Sequence, residues 1–188
     1  MEIYDLVEKG LATGATEPVT VAEAKTWGVI ETSLDDAVIT SLITTARDMV
    51  EAYISRDLIP KTYTLYTDEI LAYGGDDYVI DLCVSTNLAS VTSVSDDFDI
   101  FTSGTDYEII GASGSKLLLK RNYGGNITVD FDSIAIQSPS HLETCKSAIK
   151  SLIEQIYDNR GNLEGDSDIM VMDRNIKAIL APVRNAYF

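Results

Sequence analysis

Histidine is almost missing from this chain of 188 residues: there is one, His141, beside two cysteines, four prolines and a single tryptophan. One histidine cannot build a multi-histidine metal site, and its neighbours Ser140 and Glu143 lie too close along the chain to complete a catalytic triad by themselves. Cys83 and Cys145 are far apart and read as reduced, buried apolar fillers rather than a bridge. Missing too are a G-x-x-x-x-G-K-[ST] loop, a strand followed by G-x-G-x-x-G, paired C-x-x-C motifs and G-x-S-x-G, so the common nucleotide-binding, zinc and hydrolase signatures are excluded. No apolar run approaches the ~18 residues of a membrane span. The opening MEIYDLVEKG lacks the basic and apolar regions of a signal peptide, so synthesis in the cytoplasm is expected. Internal repeats and low-complexity tracts are also lacking.

Basic residues are scarce, 14 against 30 acids, for a formal charge of −16. Residues 1–61, 62–132 and 133–188 carry −6, −9 and −1, so the middle third is the acidic one. A surface of that sign repels phosphates and argues against specific duplex binding driven by counterion release. The acids do not fall into a calcium-loop layout. Asp96, Asp97 and Asp99 cluster, as do Asp166 and Asp168, without the required alternation, glycine and late bidentate acid, and Arg160 interrupts Asp158-Asn159-Arg160-Gly161-Asn162. These are read as solvated loops, and no cofactor or metal is expected. Two carboxylates at the roughly 5–10 Å spacing of a glycosidase would be a spatial property. A small carboxylate-dependent hydrolase therefore stays as a distant alternative.

Hydrophobic residues make up 45% of the chain, enough for one domain over 1–188 that buries about 70% of its unfolded surface. Residues 1–19 show no sustained period and suggest an N-terminal arm. Thr20 with Glu23 has capping-box spacing for a short helix that Gly28 would stop. The clearest signal is Ser33–Ile59. Leu34, Val38, Leu42, Met49 and Tyr53 recur near every fourth position, with Ile39, Ile43, Ala46, Val50 and Ile54 on adjoining rows. Ser33 and Asp36 have capping-box spacing and Pro60 ends the pattern, giving a long scaffold helix over about 33–58 whose apolar face should pack on the third helix.

From Thr62 the period changes to two. TYTLYT, YVIDLCV, ASVTSVS, DYEII, KLLLK and NITVDF are candidate strands, separated by Gly-rich turns too short for parallel crossovers, so antiparallel hairpins are expected. After Phe131 the helical period returns. Ser138-Pro139 marks a helix start, and Leu142, Cys145, Ile149, Leu152, Ile153 and Ile156 form a stripe that Gly161 closes, giving a helix over about 139–160. Asp168 or Asp173 would cap a short last helix. The class is α+β: a small helical bundle (20–61 and 133–188, the latter with a C-terminal tail) with an antiparallel β-rich insert at about 62–132.

Arg47, Arg56, Arg160 and Arg184 sit within or at the ends of predicted helices among acids. They read as intrachain ion pairs, or alternatively as pairs between subunits. The terminal Asn185, Ala186, Tyr187 and Phe188 put two aromatics where they could anchor in a partner's pocket.

Pro18-Val19-Thr20, Glu23-Ala24-Lys25, Asp35-Asp36, Leu42-Ile43, Ala46-Arg47, Val50-Glu51, Tyr53, Arg56 and Leu58-Ile59 form an ordered set. With Ala148-Ile149, Leu152-Ile153, Tyr157-Asp158-Asn159-Arg160-Gly161, Leu180, Pro182 and Arg184, the set resembles the head-tail connector (adaptor, or head-completion) proteins of long-tailed double-stranded DNA bacteriophages. The resemblance implies a non-enzymatic structural protein of the virion neck, usually a ring of twelve copies. Such a ring docks under the portal protein, extends the DNA channel without binding DNA specifically, and offers a platform to a stopper or tail-terminator protein. On that basis the tail Asn185–Phe188 is a candidate portal contact, and Arg47 and Glu51 are candidates for contacts within or between subunits. The acids at turns of the β segment, Asp76, Asp77, Asp96, Asp97 and Asp99, are candidates to face the channel. A tail-side neck protein, stopper or tail-completion, is the alternative.

Overall fold

The first helix begins as its spacing predicts. In the computed structural model, which describes residues 4–68, 71–74, 77–82, 88–111, 116–120, 122–159 and 172–184, Thr20 and Glu23 exchange both capping-box hydrogen bonds (3.2 and 2.8 Å) at the start of α1, Val21–Trp27. Closure is less ordinary. The N–H of Ile30 bonds the Lys25 carbonyl (2.9 Å) in a Schellman-like turn, and its left-handed position is occupied by Val29 (φ 53) rather than glycine.

Helix α2 runs Asp36–Ile54 and is shorter than the predicted 33–58 at both ends. The Ser33–Asp36 capping box does not form, and the Asp35 N-cap makes no side-chain capping bond. Tertiary partners take those carboxylates: Lys25 pairs with Asp36 at 2.7 Å and the Tyr157 hydroxyl donates to Asp35 at 2.5 Å. At the far end Ser55 enters the left-handed region (φ 53), stopping the helix well before Pro60. The buried row is Ile39, Ile43, Ala46, Val50 and Ile54, whereas Leu34 is 90% exposed and lies ahead of the helix. Period locates a stripe but not its centre.

Helix α3, Pro139–Asn159, presents Cys145, Ala148, Ile149, Leu152 and Ile153 to the same core as α2. Helix α4, Arg174–Leu180, follows Asp173 at its N-cap position and adds Ile176 and Leu180. The other proposed cap, Asp168, and the stop at Gly161 lie outside the described residues.

The chain divides into two compact units. These helices belong to the unit formed by Thr16–Ile59 and Ile136–Phe188, and the other comprises Met1–Ala15 and Pro60–Ala135. In the latter, the described residues form eight strands: β1 (Tyr4–Leu11), β2 (Lys61–Thr67), β3 (Leu71–Gly74), β4 (Asp77–Asp81), β5 (Leu88–Ser95), β6 (Tyr107–Ile110), β7 (Lys116–Leu119) and β8 (Ile127–Ser133). Two four-stranded antiparallel sheets, β1-β2-β8-β5 and β3-β4-β7-β6, enclose one core of Leu65, Ile80, Leu82, Val94, Leu117, Leu119, Ile127, Val129 and Phe131. The α+β class and the antiparallel pairing stand as expected. Among the described strands β3-β4 and β6-β7 pair with no other element between them, whereas β1 and β2 pair across the two helices α1 and α2, and β2 meets β8 across the whole segment, with Leu65 opposite Val129.

Residues 4–11, expected within an arm, are the edge strand β1. A register shift between Glu8 and Gly10 breaks its alternation, and its hydrogen bonds come from β2, distant in sequence. On β8 the alternation is strict: Ile127, Val129, Phe131 and Ser133 are buried, while Asp130 and Asp132 turn to the other face. There Asp132 accepts from Thr62 (2.7 Å) and Ser90 (3.5 Å), and Asp130 from Thr64 and Ser93. The ladder binds three strands through side chains as well as backbone.

Replacing Ser55 by glycine removes the left-handed strain at the end of α2 and should stabilise the protein by about 0.5–1 kcal/mol. A urea denaturation midpoint that falls instead would show that the Ser55 side chain contributes to the fold.

Candidate functional site

Arg47, on the inner side of α2, is only 3% exposed. Its Nε donates to Glu17 at 2.9 Å and one terminal nitrogen reaches Glu51 at 2.8 Å and Asp48 at 2.7 Å. Burial would pull its pKa down, but the hydrogen bond to Glu17 and the charges of Glu51, Glu17 and Asp48 outweigh burial and hold it above the ordinary arginine value. Glu51 uses its other oxygen to accept the Leu58 N–H at 2.7 Å, and the Thr44 hydroxyl donates to Glu17 at 3.0 Å. One guanidinium thus fastens the chain ahead of α1, at Glu17, and, through Glu51, the chain leaving α2, at Leu58. Arg47 and Glu51 are an intrachain pair, with Glu17, thirty residues upstream of Arg47, as the unforeseen third member.

Arg56 is half-buried on the turn after α2, and its positive charge opposes the larger effect of burial on Cys145, whose thiol is pushed up to about 11. Arg184 stacks 5.3 Å from the Tyr53 ring centre, and the Tyr53 hydroxyl donates to the Lys177 carbonyl at 3.3 Å, so the C-terminal half of α2 holds α4 and the residues after it. Arg160 and the tail Asn185, Ala186, Tyr187 and Phe188 lie outside the described residues, as does Asp76. Asp77 falls in β4, at its first position.

Asp96, Asp97 and Asp99 sit together on the turn after β5, and two of them have structural work. Asp96 accepts the N–H groups of Phe98 (2.9 Å), Asp99 (2.7 Å) and Gly124 (2.8 Å), while Asp97 accepts that of Asn126 (3.1 Å). The turn is therefore clamped to the loop leading into β8. Gly125 is required there: its φ is +80, and a Cβ would lie 1.9 Å from Asp97 Oδ2. The clamp leaves Phe98 and Ile100 about four-fifths exposed (81% and 80%). Among the described residues, no three His, Cys, Asp or Glu side chains are grouped to hold a metal ion, and no helix is long and apolar enough to cross a membrane.

Sequence reasoning missed one further surface. Leu34 and Val38, expected on the apolar stripe of the long helix, are exposed, and so are Trp27 and Val29 on either side of Gly28. The Trp27 indole N–H donates to Glu154 at 3.0 Å and Lys150 lies 4.9 Å from its ring centre, so the indole is oriented at the surface rather than buried.

Comparison with protein-family models found no match, and comparison with curated protein sequences found none either. Solved structures do correspond. A chain in the neck of an empty gene transfer agent (GTA) particle, a structure computed with C6 symmetry, superposes with a TM-score of 0.64 at 18% identity, over 98% of this chain and 97% of that one. A chain in the virion of the native GTA particle gives 0.60 at 17% identity, over 97% and 96%. This chain shares their fold. The correspondence spans both units and runs from end to end of both partners.

Two predictions test the geometry. Arg47→Ala, which leaves Glu51 buried without its partner, should cost about 3–5 kcal/mol in urea unfolding. Arg47→Lys keeps the charge without the fork that reaches Glu17 and Glu51 together, and should fall between. A wild-type midpoint for Arg47→Ala would refute the fastening role. Gly125→Ala should cost about 2 kcal/mol through its left-handed backbone and the displaced Asp97; an unchanged midpoint would mean that the clamp is dispensable.

Proposed function

We propose that this chain is a structural protein of the neck of a tailed, phage-like particle: a head-tail connector that forms a ring beneath the portal, extends the DNA channel and gives the stopper or tail its platform. The single observation that carries this reading is the end-to-end correspondence with a chain of a GTA neck. The ordered residues shared with the connector family support the adaptor role. Long apolar helices around an ion-paired centre suit assembly by packing rather than turnover.

The ring is inferred to hold twelve copies. The symmetry computed for the neighbouring particle is sixfold, which a twelve-membered ring contains. The acid-rich β unit is the candidate channel lining, through Asp76, Asp77, Asp96, Asp97 and Asp99; a repulsive wall lets phosphates slide without sticking. The tail Asn185–Phe188 is the candidate portal contact, while Arg47 and Glu51 act inside the subunit. A tail-side neck protein, stopper or tail-completion, is the second reading, favoured by the same fold match, which does not distinguish layers of the neck.

Ending the chain at Arg184 should leave folding intact, with unchanged circular dichroism, but yield filled heads that do not join tails. A reconstruction of the intact particle should place the chain as a ring against the portal. Density on the tail side alone would favour the second reading, and joined particles from the truncated protein would remove the tail from the mechanism.

A further inference from the structure

We propose that β1 is exchanged between neighbouring copies of this chain, each β1 completing the sheet on the β2 of the next copy. The exchange deepens the ring reading above and rests on it for a neighbour within reach.

The outer edge of β2 requires a strand. Its sequence, KTYTLYT, has no acid and no proline, and Lys61, Thr64, Leu65 and Thr67 are buried. Without β1 it would be an open edge of high strand propensity, a template for pairing with another chain. Seven residue pairs in antiparallel register, from Tyr4 opposite Thr67 to Leu11 opposite Lys61, close that edge.

The strand that closes it is held by its backbone ladder and polar side chains more than by core packing. Among the described side chains of β1, Leu6 packs against the sheet core and is partly buried, whereas Asp5, Glu8, Lys9 and Leu11 are exposed. The polar ties are Glu8 to Lys61 at 3.0 Å and Lys9 to the Tyr66 hydroxyl at 3.4 Å, with the Lys9 ammonium 5.7 Å from that ring centre. An edge strand that buries so little apolar surface opens at far lower cost than the sheet as a whole. The β1 of a second copy has the same sequence and makes every one of these contacts, so exchange conserves them.

The connection after β1 decides which β2 it meets. A turn follows at Ala12–Ala15, where the Ala15 N–H bonds the Ala12 carbonyl at 3.1 Å and Gly14 takes φ 82. Beyond the turn the chain is fixed again at Glu17, by Arg47. The five residue steps from Ala12 to Glu17 span about 17 Å when extended, so an opened turn reaches an adjoining copy and no further. Copies side by side in a ring present that neighbour at high effective concentration. Passing β1 in one direction is a heterologous contact, the kind that closes into rings.

The test places a cysteine pair across the β1–β2 register. Asp5 and Tyr66 lie opposite each other and are exposed, and opposed residues of an antiparallel pair are about 4.5–5.5 Å apart at Cα, within disulfide range. The full chain carries Asp5→Cys and Tyr66→Cys in a Cys83→Ser background, Cys145 being buried. It is oxidised with copper–phenanthroline, both as purified and in assembled particles, and run on non-reducing gels. A β1 paired with its own β2 links within one chain and runs as a monomer, whereas an exchanged β1 links successive chains into a ladder. Assembled particles should give about tenfold more linked chains than those made with either single-cysteine variant. Equal amounts, or monomers alone in particles that contain the chain, would overturn the proposal. A chain absent from the particles would sink the neck reading, and the concentrated chain in solution then decides the exchange: a ladder upholds it and monomers alone overturn it. Gly14→Ala supplies a second readout, because a Cβ there meets nothing within 4 Å and strains only the left-handed turn. It should raise the laddered fraction of the purified chain about fivefold; an unchanged fraction would overturn the part given to the turn.

Discussion

The buried guanidinium of Arg47 is the constraint around which the helical unit is arranged. A charge at 3% exposure would be strongly unfavourable without partners. Its partners come from three places in the sequence: Glu17 before α1, Asp48 beside it and Glu51 one turn on. Because Glu51 also holds the Leu58 N–H, the same few atoms hold the chain ahead of α1 and the chain leaving α2. Apolar packing along Ile39, Ile43, Ala46, Val50 and Ile54 supplies most of the stabilisation, but it is indifferent to the path of the flanking segments. Directional, charge-assisted hydrogen bonds are not.

That matters because the chain crosses between the two units three times, near residues 15, 59 and 135. Each unit ties its own ends of the crossings. On the helical side Arg47 gathers Glu17 and, through Glu51, Leu58, while the Ile136 N–H bonds the Asp57 carbonyl at 3.2 Å. On the strand side the Ala12 N–H bonds Pro60 at 3.0 Å and the Lys61 N–H bonds the Ser133 hydroxyl at 3.2 Å. A β unit inserted into a helical one keeps both cores only if such ends are held close, and polar bonds do so with few residues.

What was legible in the sequence follows the range of the interactions. The Thr20–Glu23 box and the Ser138-Pro139 start depend on contacts a few residues long, and the strands β2 and β4 to β8 are marked by their own Val, Ile, Leu, Thr and Tyr content between turn residues. Strand β1 depends on β2, some fifty residues away, and its bulge hides the alternation. The start of α2 was misread because Lys25 and Tyr157 compete for the capping carboxylates, and neither is local. For the same reason Arg47 and Glu51 were nameable as a pair at i, i+4, but Glu17 was not. Exposure of Val29 and Leu34 was out of reach, since hydrophobicity records what a residue favours and not whether the fold grants it.

The acids of the β unit show how one residue type serves structure and surface together. Asp96 and Asp97 fasten a turn, and Asp130 and Asp132 bridge strands through serine and threonine hydroxyls. The field at a distance is the sum over all such charges and is insensitive to which neighbour each one touches. A repulsive surface toward nucleic acid therefore asks for no acids beyond those that hold the turns and the sheet. It asks only that few bases be mixed among them, and residues 62–132 have three against twelve.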